Sequence, residues 1–210
     1  AVPKPIHLDE EKGFSLTGAE VAPLLSKKTK LVYLNFPSNP TGGVASQAQL
    51  KEIADVIQRT CPAEARIYSD EIYEHILFDG LRHESMSRYP ELAARSFVIS
   101  SFGKTYHTTG WKIGYCLAPK PLSAEFQKIH QYLTFASNTP VQCAYAKFME
   151  NRDTYLSVPK FYEAKRDLFL SLVKVSRFKV TPSRGTYFQM LDYSDITDEA
   201  DTAFARRMTV

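Results

Sequence analysis

Residues 100–115 read SSFGKTYHTTGWKIGY and close an apolar, β-branched run, RSFVISS, at 95–101. The stretch sets Lys104 on a glycine shoulder and places a second lysine, Lys112, eight residues later. Two chemistries use a lysine in such a setting. A phosphate-binding loop needs G-x-x-x-x-G-K-[ST], because backbone N–H groups along the whole loop wrap the phosphates. Its first glycine would fall at position 98, where Val98 sits inside the apolar run. The loop therefore fails on geometry. The remaining chemistry is a Schiff-base lysine, whose amine must meet a carbonyl partner in a site that favours its neutral form.

Reading outward, 30–37 (KLVYLNFP) is a short strand pattern halted at Pro37 and followed by the turn formers SNPTGG. Ser46 with Gln49 has the capping-box spacing, and Leu50, Ile53, Ala54 and Ile57 then repeat at helical intervals. The runs 65–76 (ARIYSDEIYEHI), 95–103 and 111–119 (WKIGYCLAP) read as further strands, and a helix is expected from Ser123. Strands alternating with helices predict an α/β domain with a mostly parallel sheet flanked by helices. Ligands in such sheets sit beyond the carboxyl ends of the strands. Asn39, Asp70, Ser101 and Lys104 all fall at or just after predicted strand ends.

From about residue 140 the pattern changes. Residues 139–176 read as nearly continuous helix with Phe161, Leu168, Phe169 and Leu172 on one face, and with Pro159 at a kink or in a first turn. Residues 178–194 (FKVTPSRGTYFQMLDYS) read as two strands around Gly185, and 197–208 opens a helix. This organisation predicts a ligand-binding large domain over 1–154 and part of an α+β small domain over 155–210.

The 210 residues are 44% apolar with a net charge of +3 and no basic run, which disfavours a nucleic-acid partner. No apolar stretch approaches the roughly 20 residues of a membrane helix. Cys61, Cys116 and Cys143 are scattered and form no CxxC pair, so they read as reduced, buried thiols of a cytoplasmic protein without a metal site. His107 and His130 have no partners at metal-ligand spacing. The opening, AVPKPIHLDEEKGF, lacks the apolar stretch of a signal peptide and reads as the interior of a longer chain.

A Schiff-base lysine fits pyridoxal phosphate, which also needs a carboxylate on its ring nitrogen, donors on its phenolic oxygen, and cations or hydroxyls on its phosphate. Asp70 supplies the first, Asn39 and Tyr73 the second, and Ser101 and Lys112 the third. The segments NFPSNPTGGV (35–44), YSDEIYEHI (68–76), SSFGKTYHTTGWKIGYCLAP (100–119) and RGTYFQMLDYS (184–194) resemble consecutive signatures of the fold-type-I, class I/II aminotransferases. With HQYLTFASNTPVQ (130–142), the lysine segment is especially similar to the methionine and kynurenine aminotransferase branch. The resemblance spans essentially the whole chain.

It implies that Lys104 is the cofactor-bearing lysine and proton-transfer base, and that Asp70 partners the ring nitrogen. Tyr73 and Asn39 then hold the phenolic oxygen, and Ser101 and Lys112 hold the phosphate. Many relatives carry arginine at the Lys112 position, so this chain would use a point charge in place of a bidentate fork. Amino-acid and 2-oxo-acid substrates and a homodimeric parent are implied as well. Arg184 does not match the family's substrate-carboxylate arginine, since it precedes GTYF; that residue and the family's N-terminal segment lie outside these 210 residues. A carbon–sulfur β-lyase on the same scaffold is the alternative chemistry, and a non-catalytic domain of the same fold is the alternative class. Trp111, Tyr132 and Phe135 read as packing residues, Asn138 and Thr139 as facing a partner subunit, and Arg206 and Arg207 as a solvated helix end.

Overall fold

Alternating apolar residues make four strands that pair side by side in chain order: Leu31–Asn35 (β1), Arg66–Asp70 (β2), Ser96–Ser101 (β3) and Gly114–Leu117 (β4). The structure is a computed structural model and describes residues 2–209. β1, β2 and β3 run parallel, and β4 returns antiparallel against β3. The sheet is thus mostly parallel, with one reversed edge. The run 65–76 is strand only as far as Asp70; the chain turns immediately afterwards.

The helices are Gly18–Val21 (α1), Gln47–Thr60 (α2), Pro90–Ala93 (α3), Phe102–Thr105 (α4), Lys120–Leu133 (α5), Thr139–Phe148 (α6), Asp153–Leu156 (α7), Val158–Val173 (α8) and Asp201–Met208 (α9). α2 starts where its sequence dictates. Ser46 Oγ accepts from the Gln49 N–H at 3.3 Å, and Gln49 Oε1 accepts from the Ser46 N–H at 2.9 Å. Its apolar stripe, Leu50, Ile53, Ala54 and Ile57, joins Val32, Leu34, Ile67 and Val98 of the sheet in one buried core. Each Leu, Ile or Val side chain taken out of water here contributes roughly 1.5–3 kcal/mol. Leu31 and Tyr33, on the opposite face of β1, stay more than half exposed.

Three expected elements differ. α5 begins at Lys120, ahead of Ser123, because Pro121 is tolerated in a first turn where its missing N–H is no loss. The long helix breaks between α6 and α7. There the Asn151 side chain accepts from the Asp153 N–H at 3.1 Å and its carbonyl accepts from the Thr154 hydroxyl at 2.7 Å. Local bonds of this kind compete with helix propagation. Pro159 sits in the first turn of α8, and the face carrying Phe161, Leu168 and Leu172 is exposed. Residues 178–194 form no paired strands with one another beyond the Lys179–Asp192 bridge. Their backbone instead docks on 76–78: the Phe78 N–H donates to Arg184 O at 3.0 Å and the Thr186 N–H to Ile76 O at 2.9 Å. Cys61 is buried as expected, whereas Cys143 is exposed on α6.

Arg166 fastens α8 to this docked region. Its side chain, 9% exposed, pairs with Asp79 through both terminal nitrogens at 2.7 and 2.8 Å, donates to Ser183 O at 3.1 Å, and lies 4.8 Å over the Phe78 ring. Asp79 is half exposed, so solvent screens part of the attraction. Arg166→Ala is expected to lower unfolding free energy by about 1–2 kcal/mol. Arg166→Met, which keeps the packing over Phe78, should lose less. Urea midpoints at unchanged slope check both.

Candidate active site

Parallel strands deliver their carboxyl ends to one edge, and the predicted residues assemble there. After β1, the Asn35 side chain accepts from the Asn39 N–H at 2.8 Å, the Ser38 N–H donates to Gly43 O at 2.9 Å, and the Gly42 N–H donates to Ser38 O at 2.8 Å. The Phe36–Pro37 and Asn39–Pro40 bonds are cis. Gly42 has φ of +69°, and a Cβ there would lie 2.4 Å from Ser183 Cβ, so only glycine fits this turn.

Successive side chains in a strand point to opposite faces, and Asp70 and Glu71 use that alternation at the end of β2. Asp70 Oδ2 accepts from the Tyr33 hydroxyl at 2.8 Å, and Tyr33 stacks on Tyr68 with centroids 5.2 Å apart. Burial, and then the bond to Asp70, push the Tyr33 hydroxyl up, so it remains a donor. Glu71 turns inward and is 3% exposed. It accepts from the Ser69 hydroxyl at 2.7 Å and the Met86 N–H at 3.0 Å, and it pairs with His83 Nε2 at 2.6 Å. Burial opposes its charge, but His83, Met86 and Ser69 together outweigh burial and hold the carboxyl below its usual range. Glu74, one turn on, accepts from the Ser100 and Tyr115 hydroxyls. Glu71 and His83 escape sequence reading because only the fold brings 71 and 83 together.

Tyr73 is fully buried, with Tyr187 edge-on at 5.3 Å and Phe188 at 6.0 Å. Burial first, and then Tyr187, push its hydroxyl up, while the Asn39 side chain pulls the other way. Lys104 lies in α4, the single turn after β3, with Nζ 6.0 Å from the Tyr73 centroid and 5.8 Å from that of Tyr187. The chain folds back tightly here: the Thr108 N–H and the Thr109 hydroxyl both donate to Gly103 O, at 3.0 and 3.2 Å. A Cβ on Gly103 would meet Thr109 Cα at 2.9 Å. Lys112 takes a left-handed φ of +56° two residues before Gly114, which pairs with Ser101. The antiparallel return thereby carries Lys112 back to the strand end that holds Ser101.

The structure brings Lys104, Tyr73 and Asn39 into one cluster and sets Asp70 and Ser101 on neighbouring strand ends, with Lys112 exposed at the same edge. Tyr187 joins them from the 184–194 signature segment, in which no role had been assigned to it. Arg184 serves through its backbone, its N–H donating to Gly42 O at 3.1 Å. Trp111 is half exposed with one side on Tyr145, and Tyr132 and Phe135 are exposed rather than packed, since α5, which carries Tyr132 and leads into Phe135, buries none of its residues. Asn138 caps α6, accepting from the Val141 N–H at 3.1 Å, and Arg207 pairs with Glu199 at 2.8 Å. Among the described residues no group of His, Cys, Asp and Glu is placed to hold a metal, and no helix is long and apolar enough to cross a membrane.

The pattern describing aminotransferase class I and II matches residues 1–209. The chain belongs to this family. It is 45% identical to a methionine aminotransferase of Escherichia coli over 93% of its own length and 50% of that protein's. It is 38% identical to a kynurenine–oxoglutarate transaminase of Dictyostelium discoideum over 90% of its length and 44% of that protein's. A solved Escherichia coli structure described with a methionine aminotransferase function superposes with a TM-score of 0.87 at 44% identity, covering 94% of this chain and 52% of the other. The N-succinyldiaminopimelate aminotransferase of Mycobacterium tuberculosis also superposes at 0.87, with 30% identity and coverage of 99% and 52%. The fold is accordingly that of the fold-type-I aminotransferases. The chain spans about half the length of the curated relatives it matches.

The Glu71 clamp on the Asp70 turn has a measurable acid limb. Its folded pKa lies below the unfolded value near 4.5, so its contribution is complete above that value and is lost as pH falls through the folded one. Glu71→Gln is expected to cost about 1.5–3 kcal/mol near neutrality and to flatten the acid side of the stability curve. Urea melts from roughly pH 3 to 7 test both statements.

Proposed function

We propose that this chain is the cofactor-holding part of a pyridoxal-phosphate-dependent aminotransferase, with residues 1–154 as the cofactor domain and 155–210 as part of a smaller domain. The observation that supports this best is the Lys104 amine, set about 6 Å from both the Tyr73 and Tyr187 rings at the edge where Asn39, Asp70 and Ser101 also stand. A carboxylate, a phenol with an amide, and a hydroxyl with an ammonium match, in kind, the ring nitrogen, phenolic oxygen and phosphate of that cofactor. When bound, pyridoxal phosphate supplies the electron sink that acidifies a substrate α-proton.

Asp70 would hold the ring nitrogen. Tyr33 leaves it lone pairs to spare, because an ionised carboxylate offers about four acceptor positions. Tyr73, kept protonated by burial, would donate to the phenolic oxygen beside Asn39. Ser101 and Lys112 would hold the phosphate. Lys104 Nζ would hold the cofactor at its carbonyl carbon, and the same amine, when free and neutral, would be the base for the substrate α-proton. The parent enzyme acts as a cytoplasmic homodimer on an amino acid and a 2-oxo acid.

The whole protein carrying this sequence, treated with pyridoxal phosphate and then borohydride, is expected to be labelled at Lys104 on peptide mapping. Lys104→Ala should lose the half-reaction with amino acid. Label confined to another lysine overturns the reading.

The donor is a neutral amino acid with an apolar or aromatic side chain, such as methionine or kynurenine. Residues 134–140 (TFASNTP) hold no cation to neutralise a second carboxylate, and an unpaired buried carboxylate costs several kcal/mol. Methionine is expected to react well over tenfold faster than aspartate in the half-reaction of the whole protein. Single-turnover rates for methionine, phenylalanine, kynurenine and aspartate decide, and aspartate as the fastest would overturn the assignment.

A further inference from the structure

We infer that Tyr187 is a positioning residue of this site: arriving from the C-terminal segment, it holds the Tyr73 ring and flanks the Lys104 amine. The inference rests on the reading of Lys104 and Tyr73 as cofactor residues. Tyr187 meets Tyr73 at 5.3 Å with an interplanar angle of 86°, the edge-on geometry that aromatic quadrupoles favour. Its ring centroid is 5.8 Å from Lys104 Nζ, slightly nearer than that of Tyr73 at 6.0 Å. Two phenol rings therefore border one amine, one from the turn after β2 and one from the segment after α8.

The position of Tyr187 is imposed from both sides. Thr186 is fully buried with φ of +66°; its N–H donates to Ile76 O at 2.9 Å and its hydroxyl accepts from the Phe188 N–H at 3.1 Å. Ile76 in turn donates its N–H to Tyr73 O at 2.8 Å. Two backbone bonds thus connect the turn carrying Tyr73 to the residue preceding Tyr187. On the far side, Tyr162 of α8 lies 5.5 Å from Tyr187, with its hydroxyl 3.0 Å from His107 Nδ1. Tyr187 itself is 38% exposed, less buried than the Tyr73 ring it contacts. The Tyr73 hydroxyl feels Tyr187 more than any other single group, only burial acting more strongly.

Tyrosine labelled with carbon-13 at Cζ in the whole protein carrying this sequence provides the test, with Tyr73 assigned by the signal missing from Tyr73→Phe. Tyr187→Phe keeps the ring and removes the hydroxyl. It is expected to leave the fold intact and to lower the pH at which Tyr73 begins to ionise. Tyr187→Leu removes the ring as well and should also reduce borohydride-fixed pyridoxal phosphate at Lys104 at limiting cofactor. An unchanged Tyr73 titration in Tyr187→Phe overturns the inference even where Lys104 is labelled normally. A shifted titration without Lys104 labelling in the parent sinks the cofactor reading and leaves the Tyr187–Tyr73 coupling standing. Should Tyr187→Leu fail to fold, Tyr187→Phe alone decides.

Discussion

Parallel pairing of β1, β2 and β3 is the constraint on which the site depends. Their register aligns Asn35 with Asp70 and Asp70 with Ile99, so the three strands stop at nearly the same level. Whatever follows each strand must then begin at a common edge: the Asn39 turn, the Tyr73 turn and the one-turn helix bearing Lys104. An antiparallel arrangement of the same strands would scatter these loops to opposite ends. The single reversed strand, β4, reinforces the pattern, because its first residue pairs with Ser101 and returns Lys112 to the same side.

The period-two alternation of a strand divides the labour of neighbouring carboxylates. Asp70 faces the open edge beneath Tyr33, while Glu71 turns into the protein and binds the strand end to His83 and Met86. One carboxylate stays near the surface where a ligand can reach it, and the next fixes the backbone that presents it. Burial acts on the surrounding tyrosines in one direction: Tyr33, Tyr73 and Tyr115 are all pushed toward the protonated form and remain hydrogen-bond donors.

Local signals carried the sheet, the start of α2 and the strand-end positions, because each depends on a few adjacent residues: apolar alternation, a Ser46–Gln49 cap, a proline after a strand. The class I and II aminotransferase signatures were legible for the same reason, being short and contiguous. What stayed hidden depends on contacts distant in sequence. The Glu71–His83 pair spans a loop, Tyr187 reaches Tyr73 from more than a hundred residues away, and 178–194 looked like a hairpin until its backbone partners proved to be 76–78. The break between α6 and α7 was missed because Asn151 acts through its own side chain, a competition that an apolar helical pattern does not register.

The bond from the Thr186 N–H to Ile76 O also bears on the order of events in folding. The four strands are neighbours in both sequence and space, so the sheet can form through short closures. Docking of the 184–188 segment closes a loop of more than a hundred residues, and contacts of large sequence separation form slowly. On a ribosome, Tyr73 and Lys104 are synthesised before residue 187. The strand-end framework is thus supplied by short-range closures of the chain, and the aromatic flank by a long-range one.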